Sequence, residues 1–178
     1  MWPNPPRWAI AGIALAALSF TGAAAAAPGS PTSPIPAFEA TSLTGKSIHR
    51  SDLLGQPTVL IVTPGRNAGA PTRAWVKALR SELGKGARMR DLIAVDLPFF
   101  MDERDAISRA KAKIPKRYYD QTWLTSKDTL TTALGVGSDA AHAQVFVLDA
   151  QGRVAAHVRG DPTDEHLDQL RSALRALR

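Results

Sequence analysis

Four histidines, His49, His142, His157 and His166, are the side chains whose intrinsic pKa suits proton transfer or metal binding near neutral pH. No two of them stand at an i, i+4 or His-x-His spacing, so no metal site is expected from them. Cysteine is absent from all 178 residues, which removes thiolate nucleophiles, disulfides, iron–sulfur clusters and cysteine zinc sites together. Met89 and Met101 offer soft sulfur to copper, but no thiolate accompanies them. There is no G-x-S-x-G elbow, no phosphate-loop consensus and no Ser–His–Asp order, so hydrolase and nucleotide chemistry have no positive signal. Neither a cofactor nor a metal is expected. Asp102, Glu103 and Asp105 fall where a helix begins and complement its dipole without any catalytic purpose.

One short segment offers chemistry of another kind. Arg66, Asn67, Ala68, Gly69 and Ala70 lie just ahead of a helix. Small residues there can expose backbone N–H groups to a carboxylate or phosphate, and Arg66 and Arg73 add positive charge. The alternative is a plain strand-to-helix loop. A second feature is a basic tract, Arg104, Arg109, Lys111, Lys113, Lys116 and Arg117, followed by Tyr118, Tyr119 and Trp123. A solvated helix face with aromatics turned into the core accounts for it; an acidic partner or an anionic membrane surface are the other candidates. The whole chain carries 22 Lys and Arg against 16 Asp and Glu, a formal charge of +6, without the block-like runs of a nucleic-acid arm.

The elements that must position these residues alternate between strand and helix. Residues 38–43 and 47–49, joined by a turn at Thr44-Gly45-Lys46, predict a short hairpin, and residues 51–55 one helical turn. Residues 58–62 are a continuous apolar, β-branched run, the pattern of a central strand buried on both faces. A helix is expected over 71–83 with Trp75, Leu79 and Leu83 facing the sheet, then a strand over 92–97 and a helix over 102–114. A strand at 121–124 and a helix over 127–134 closed by Gly135 follow. A hairpin of 144–148 and 154–158 and a last helix, capped by Asp161 and opened by Pro162, complete the order. Leu167, Leu170, Leu174 and Leu177 form that helix's buried face, with Arg171, Arg175 and Arg178 opposite. Such an order predicts an α/β domain: a mixed central sheet, helices on both faces and an N-terminal β-hairpin.

The amino terminus reads as an address. Arg7, a short apolar stretch over 8–20 and small residues over 21–27 match a bacterial secretory signal, with cleavage expected after Ala26. The alternative is an uncleaved inner-membrane anchor facing the periplasm, since 8–27 has the length of a bilayer span. Residues 27–36, rich in proline and serine, are expected to form an extended linker, leaving 37–178 as one domain. Export argues against nucleic acid as a partner.

Taken together, Thr44-Gly45-Lys46, Ser51-Asp52-Leu53, the strand ending in Pro64-Gly65-Arg66, and Phe146-Val147-Leu148-Asp149-Ala150-Gln151-Gly152-Arg153-Val154 resemble the redoxin branch of the thioredoxin fold. The Pro-Gly-Arg ending and the second hairpin are most similar to YtfJ-type periplasmic proteins. The resemblance implies a thioredoxin-like domain, and the sequence departs from it at both hallmarks of thiol exchange. Where redox-active relatives carry Cys-x-x-Cys, the aligned places fall at Asn67 and Ala70; where they carry a cis-proline, the chain has Ala143. Thiol–disulfide oxidoreductase and thiol peroxidase activities by the family mechanism are therefore excluded. What remains is a candidate binding surface on Arg66, Asn67, Ala68, Gly69, Ala70, His142 and Ala143. The function expected is an exported, non-redox module that binds a protein or peptide in the periplasm. A cysteine-independent enzyme and an envelope-associated structural protein using its basic face are the alternatives.

Overall fold

The computed structural model describes residues 34–83, 88–95, 102–136 and 141–177. The expected leader and most of the linker lie outside them, as do the end of the strand expected over 92–97 and Met101. Seven strands form one sheet: β1 (Glu39–Ser42), β2 (Ser47–His49), β3 (Thr58–Thr63), β4 (Arg88–Val95), β5 (Thr122–Ser126), β6 (Gln144–Leu148) and β7 (Val154–Arg159). Their order across the sheet is β2-β1-β5-β4-β3-β6-β7. β3 pairs parallel with β4, and β4 parallel with β5; the two outer hairpins, β1–β2 and β6–β7, join antiparallel. Helices α1 (Gly69–Leu83) and α2 (Glu103–Lys111) make the two crossovers, and α3 (Lys127–Leu134) and α4 (Asp164–Ala176) complete the covering layers.

Strand alternation decides which helix lies where. Val59 and Ile61 of β3, with Met89, Val145 and Val147, meet Trp75 and Leu79 of α1 and Leu170 of α4. Leu60 and Val62 point the other way, to Leu130 and Ala133 of α3. In β4 the period of two puts Asp91, Ile93 and Val95 on the same side as Met89. There Ile93 and Val95 pack with Leu124 and with Ala106, Ile107 and Ala110 of α2. Thus α1, α2 and α4 share one face, and the strip of β4 and β5 between α1 and α2 is left as the floor of a groove.

Three expectations need correction. The linker does not run free to Pro36: Pro34 bridges Arg153, the Ile35 amide donates to the Gly152 carbonyl at 3.0 Å, and Ile35 is buried in the core. α4 is capped by Thr163, not Asp161; the Thr163 hydroxyl accepts from the His166 amide at 3.2 Å, while the Asp161 carbonyl faces the His166 ring. β4 starts at Arg88, four residues earlier than the apolar run suggested. Its two arginines have partners: Arg88 donates to the carbonyls of Leu54 and Asp52, and the Arg90 guanidinium lies 5.6 Å from the centre of the Trp123 ring. The other expected elements fall in place to within three residues at their ends, α2 stopping at Lys111 and β5 running on to Ser126, down to α3 and its closing Gly135, whose φ of 62° suits glycine.

The β6–β7 turn is organised by one carboxylate. Asp149 Oδ1 accepts from the Gln151 and Arg153 amides at 2.9 and 2.8 Å, and Oδ2 from Arg153 Nε at 2.6 Å. Burial would raise its pKa, but these donors hold it below the usual carboxylate range. Asp149→Asn keeps an acceptor for the amides and loses the ion pair, whose Arg153 side chain is 40% exposed. The expected cost is about 1 kcal/mol. Urea unfolding of this variant, of Arg153→Ala and of the double variant gives the coupling; additive effects would show that the pair contributes nothing.

Candidate functional site

The chain leaves β3 through Pro64 and Gly65 and makes a 3-10 turn, Arg66–Ala68, before α1. Thr63 and Thr72 join hydroxyls at 2.8 Å, which seats the first turn of α1 on the end of β3. The turn uses part of its own donor supply: the Ala68 amide donates to the Gly65 carbonyl at 3.1 Å, and the Gly69 amide to the Arg66 carbonyl. The cradle of free amides expected over 67–70 is therefore half spent on the turn itself. Ala68 is fully buried and packs against the sheet end.

Ala143 is also fully buried. β3–β6 pairing runs to Val62 opposite Gln144, so Ala143 stands one step further at the same sheet end as Asn67. Its carbonyl accepts from the Gly160 amide at 3.0 Å, and the Gly160 carbonyl accepts from Trp75 Nε1 at 2.6 Å. Trp75 then stacks on His166, ring centres 6.1 Å apart. This corner, where the resemblance places the cis-proline of redox-active relatives, is filled by the protein's own side chains. His166 is half-buried in it.

The open space is on the other flank of α1. A groove of about 1420 Å³ runs from Gly65, Arg66, Asn67 and Gly69 along Thr72, Arg73, Val76, Lys77 and Arg80. Its opposite wall is Ala106, Arg109 and Ala110 of α2 with Lys113, Ile114, Pro115 and Tyr118; its floor is Asp91, Ile93 and Val95 of β4 with Thr122 and Leu124 of β5. Of the expected site residues, Arg66, Asn67 and Gly69 line this groove, whereas Ala68, Ala70, His142 and Ala143 do not. Arg80 stacks over the Tyr118 ring at 3.7 Å and Arg117 approaches the same ring at 4.8 Å, bracing the far end. Tyr119 turns into the core beneath α2 and its hydroxyl donates to the Lys111 carbonyl at 3.1 Å. The basic tract is thus divided: Arg109 and Lys113 face the groove, and Arg117 braces it.

Electrostatically the groove is one-sided. Arg66, Arg73, Lys77, Arg80, Arg109, Lys113 and Lys127 line it, against a single carboxylate, Asp91, among the described residues. Burial pushes the Asp91 carboxyl up to about 6, with Arg80 and Arg90 only partly opposing it. Beside it in the β4–β5 register stands Thr122, 1% exposed, whose hydroxyl has no hydrogen-bond partner among the described residues. Sequence reasoning missed both. The signal for Asp91 was the alternation of β4, hidden because its first half is charged.

Elsewhere, His157 stacks on Phe146 with ring centres 4.1 Å apart and shares a 2.8 Å hydrogen bond with Gln144; burial, then Arg159, lowers its pKa. Arg171, expected in solvent, ties α4 to α1 through Glu82 at 2.5 Å. Among the described residues no cluster of acids and histidines could hold a metal, and no helix is long and apolar enough to cross a membrane.

No protein-family model matches the sequence, and no curated protein matches it. Solved structures do. The exposed lipoprotein thioredoxin Etrx1 of Streptococcus pneumoniae superposes with a TM-score of 0.51 at 18% identity, over 77% of this chain and 99% of its own. A thiol:disulfide interchange protein of Chlorobium tepidum gives 0.53 at 16% identity, over 83% and 99%. BsSco, a member of the Sco family of cytochrome c oxidase assembly proteins, gives 0.56 at 16%, over 81% and 95%. The fold is thioredoxin-like. Within this thioredoxin-like fold, Asn67 follows the first parallel strand at the start of α1, where the resemblance put the redox pair, and no sulfur is available there.

Proposed function

We propose that the chain is a thioredoxin-fold module of the bacterial periplasm, in the redoxin branch and akin to YtfJ-type proteins, that binds a protein or peptide partner without thiol chemistry. The observation that carries it is the groove along α1, which begins at Arg66 and Asn67 and is open to solvent where the Trp75–Gly160–Ala143 corner is filled. The absence of cysteine and the secretory pattern of residues 1–26 support the rest. An enzyme reading would rest on Asp91, but no second carboxylate or histidine lines the groove among the described residues. An envelope-association reading would need Arg109 and Lys113 on a flat face, and they stand instead on a groove wall.

A photoreactive residue at Asn67 is expected to capture one partner selectively in the periplasm, while the same residue at Gln151, at the opposite end of the sheet, does not. Arg73→Glu should abolish that capture. Equal capture from both positions would overturn the proposal, as would reduction of insulin by the purified chain.

A further inference from the structure

The groove's walls and floor differ in a way that selects a class of ligand. Arg73, Lys77 and Arg80 follow one another along α1 at helical spacing, and Arg109 and Lys113 stand one turn apart on the facing wall. The floor between them is apolar along Ile93, Val95 and Leu124, interrupted by Asp91 and the unpartnered Thr122 hydroxyl. From Gly69 to Arg80 the α1 wall is about 17 Å long, the span of roughly five extended residues. An extended chain turns successive side chains to opposite sides, so it can place apolar groups on the floor and acidic groups toward the cationic walls.

We propose that the groove receives an extended acidic segment of a partner protein, with acids alternating with apolar residues and one polar side chain set against Asp91 and Thr122. This rests on the groove being the binding site. Charge complementarity commits the occupant: the chain's own residues 1–33 contain no carboxylate, and a bilayer surface is too flat to enter a groove. A buried hydroxyl without a partner is costly, and the segment's polar side chain supplies one. Among the described lining residues, the one group repelling such a ligand is the Asp91 carboxylate. Arg80 from α1 and Arg90 from its own strand act on it, Thr122 of β5 stands beside it, Arg109 of α2 and Lys113 beyond the end of α2 line the same groove, and no histidine lines the groove among the described residues. Asp91 is therefore the group whose protonation below about pH 6 tightens binding.

The test is fluorescence anisotropy with a labelled synthetic peptide alternating Glu with Val, Leu and Thr. Binding is expected to weaken roughly tenfold between about 0.1 and 0.5 M salt, to vanish for the Lys-for-Glu peptide, and to be lost in the Arg73→Glu, Arg109→Glu double variant. It should be about fivefold tighter at pH 5.5 than at pH 7.5, and Asp91→Asn should show the tighter value at both. Circular dichroism verifies that each variant is folded. Equal binding of the Lys peptide, equal binding of a peptide with its acids in one block, or competition by anionic phosphatidylglycerol vesicles would overturn the proposal. So would dimerisation of the chain that depends on Arg73 and Arg109, which would assign the groove to a second copy. If the acidic peptide fails while selective capture from Asn67 persists, the acidic segment is wrong and the binding module stands; if both fail, both fall.

Discussion

Trp75→Ala lowers the free energy of unfolding by about 4 kcal/mol, read as a shift of the urea midpoint at unchanged slope. Trp75 is fully buried between α1 and the sheet, so the truncation leaves a large cavity among Val59, Ile61 and Leu170. It also removes the indole donor from the Gly160 carbonyl, which then loses the 2.6 Å bond that fills the corner beside Ala143. Trp75→Phe separates the two effects, keeping most of the volume and costing about 1–2 kcal/mol for the lost donor. Because α1 is also the cationic wall of the groove, the alanine variant should lose ligand binding even at temperatures where it stays folded. A destabilisation below about 1 kcal/mol would mean that Trp75 is not the anchor of α1.

Asp91→Asn has the opposite sign. Burial raises the Asp91 carboxyl from an ordinary value of 3.8 to about 6, so the folded protein holds its proton more tightly than the unfolded chain does. The resulting stability is fully present below about pH 4 and is lost as pH rises through about 6. At pH 7 the wild-type protein therefore carries a destabilising carboxylate, and the uncharged amide relieves it by about 2 kcal/mol after allowance for partial solvent access. The gain should disappear at pH 4. Asp52 and Asp149 act in the other direction: Lys46 and the His49 amide on Asp52, and the Arg153 donors on Asp149 against its burial, hold their pKa values down. Their contribution is present above the unfolded value near pH 4 and lost on acidification. Stability profiles of wild type and Asp91→Asn that stay parallel from pH 4 to 7.5 would remove Asp91 as a buried acid.

A stabilised Asp91→Asn protein also clarifies what the acid is for. A residue that weakens the fold at neutral pH, beside a hydroxyl left without a partner, is an arrangement that folding alone does not favour. The proposed peptide binding would give it a use.

How far the site was legible differs residue by residue. Arg66, Asn67 and Gly69 could be named because a strand, a Pro-Gly break and a helix surround them, and local pattern is enough to place a loop at a strand's end. Ala68, His142 and Ala143 were named with them on chain proximity and resemblance, yet burial removes two and the groove's direction leaves out the third. Which flank of α1 stays open depends on Trp75 reaching Gly160, a contact across 85 residues that no local pattern records. Asp91 and Thr122 lie 31 positions apart and meet only through the parallel register of β4 and β5.

By itself the sequence determined the element order, the buried faces of β3, α1 and α4, and the absence of cysteine, because each follows from side-chain type and short-range periodicity. Tertiary structure alone decided where the groove runs, which cations face it and that a single acid among the described residues lies on its floor. Those depend on how two crossovers pack over a sheet, and on which atoms the folded chain removes from water.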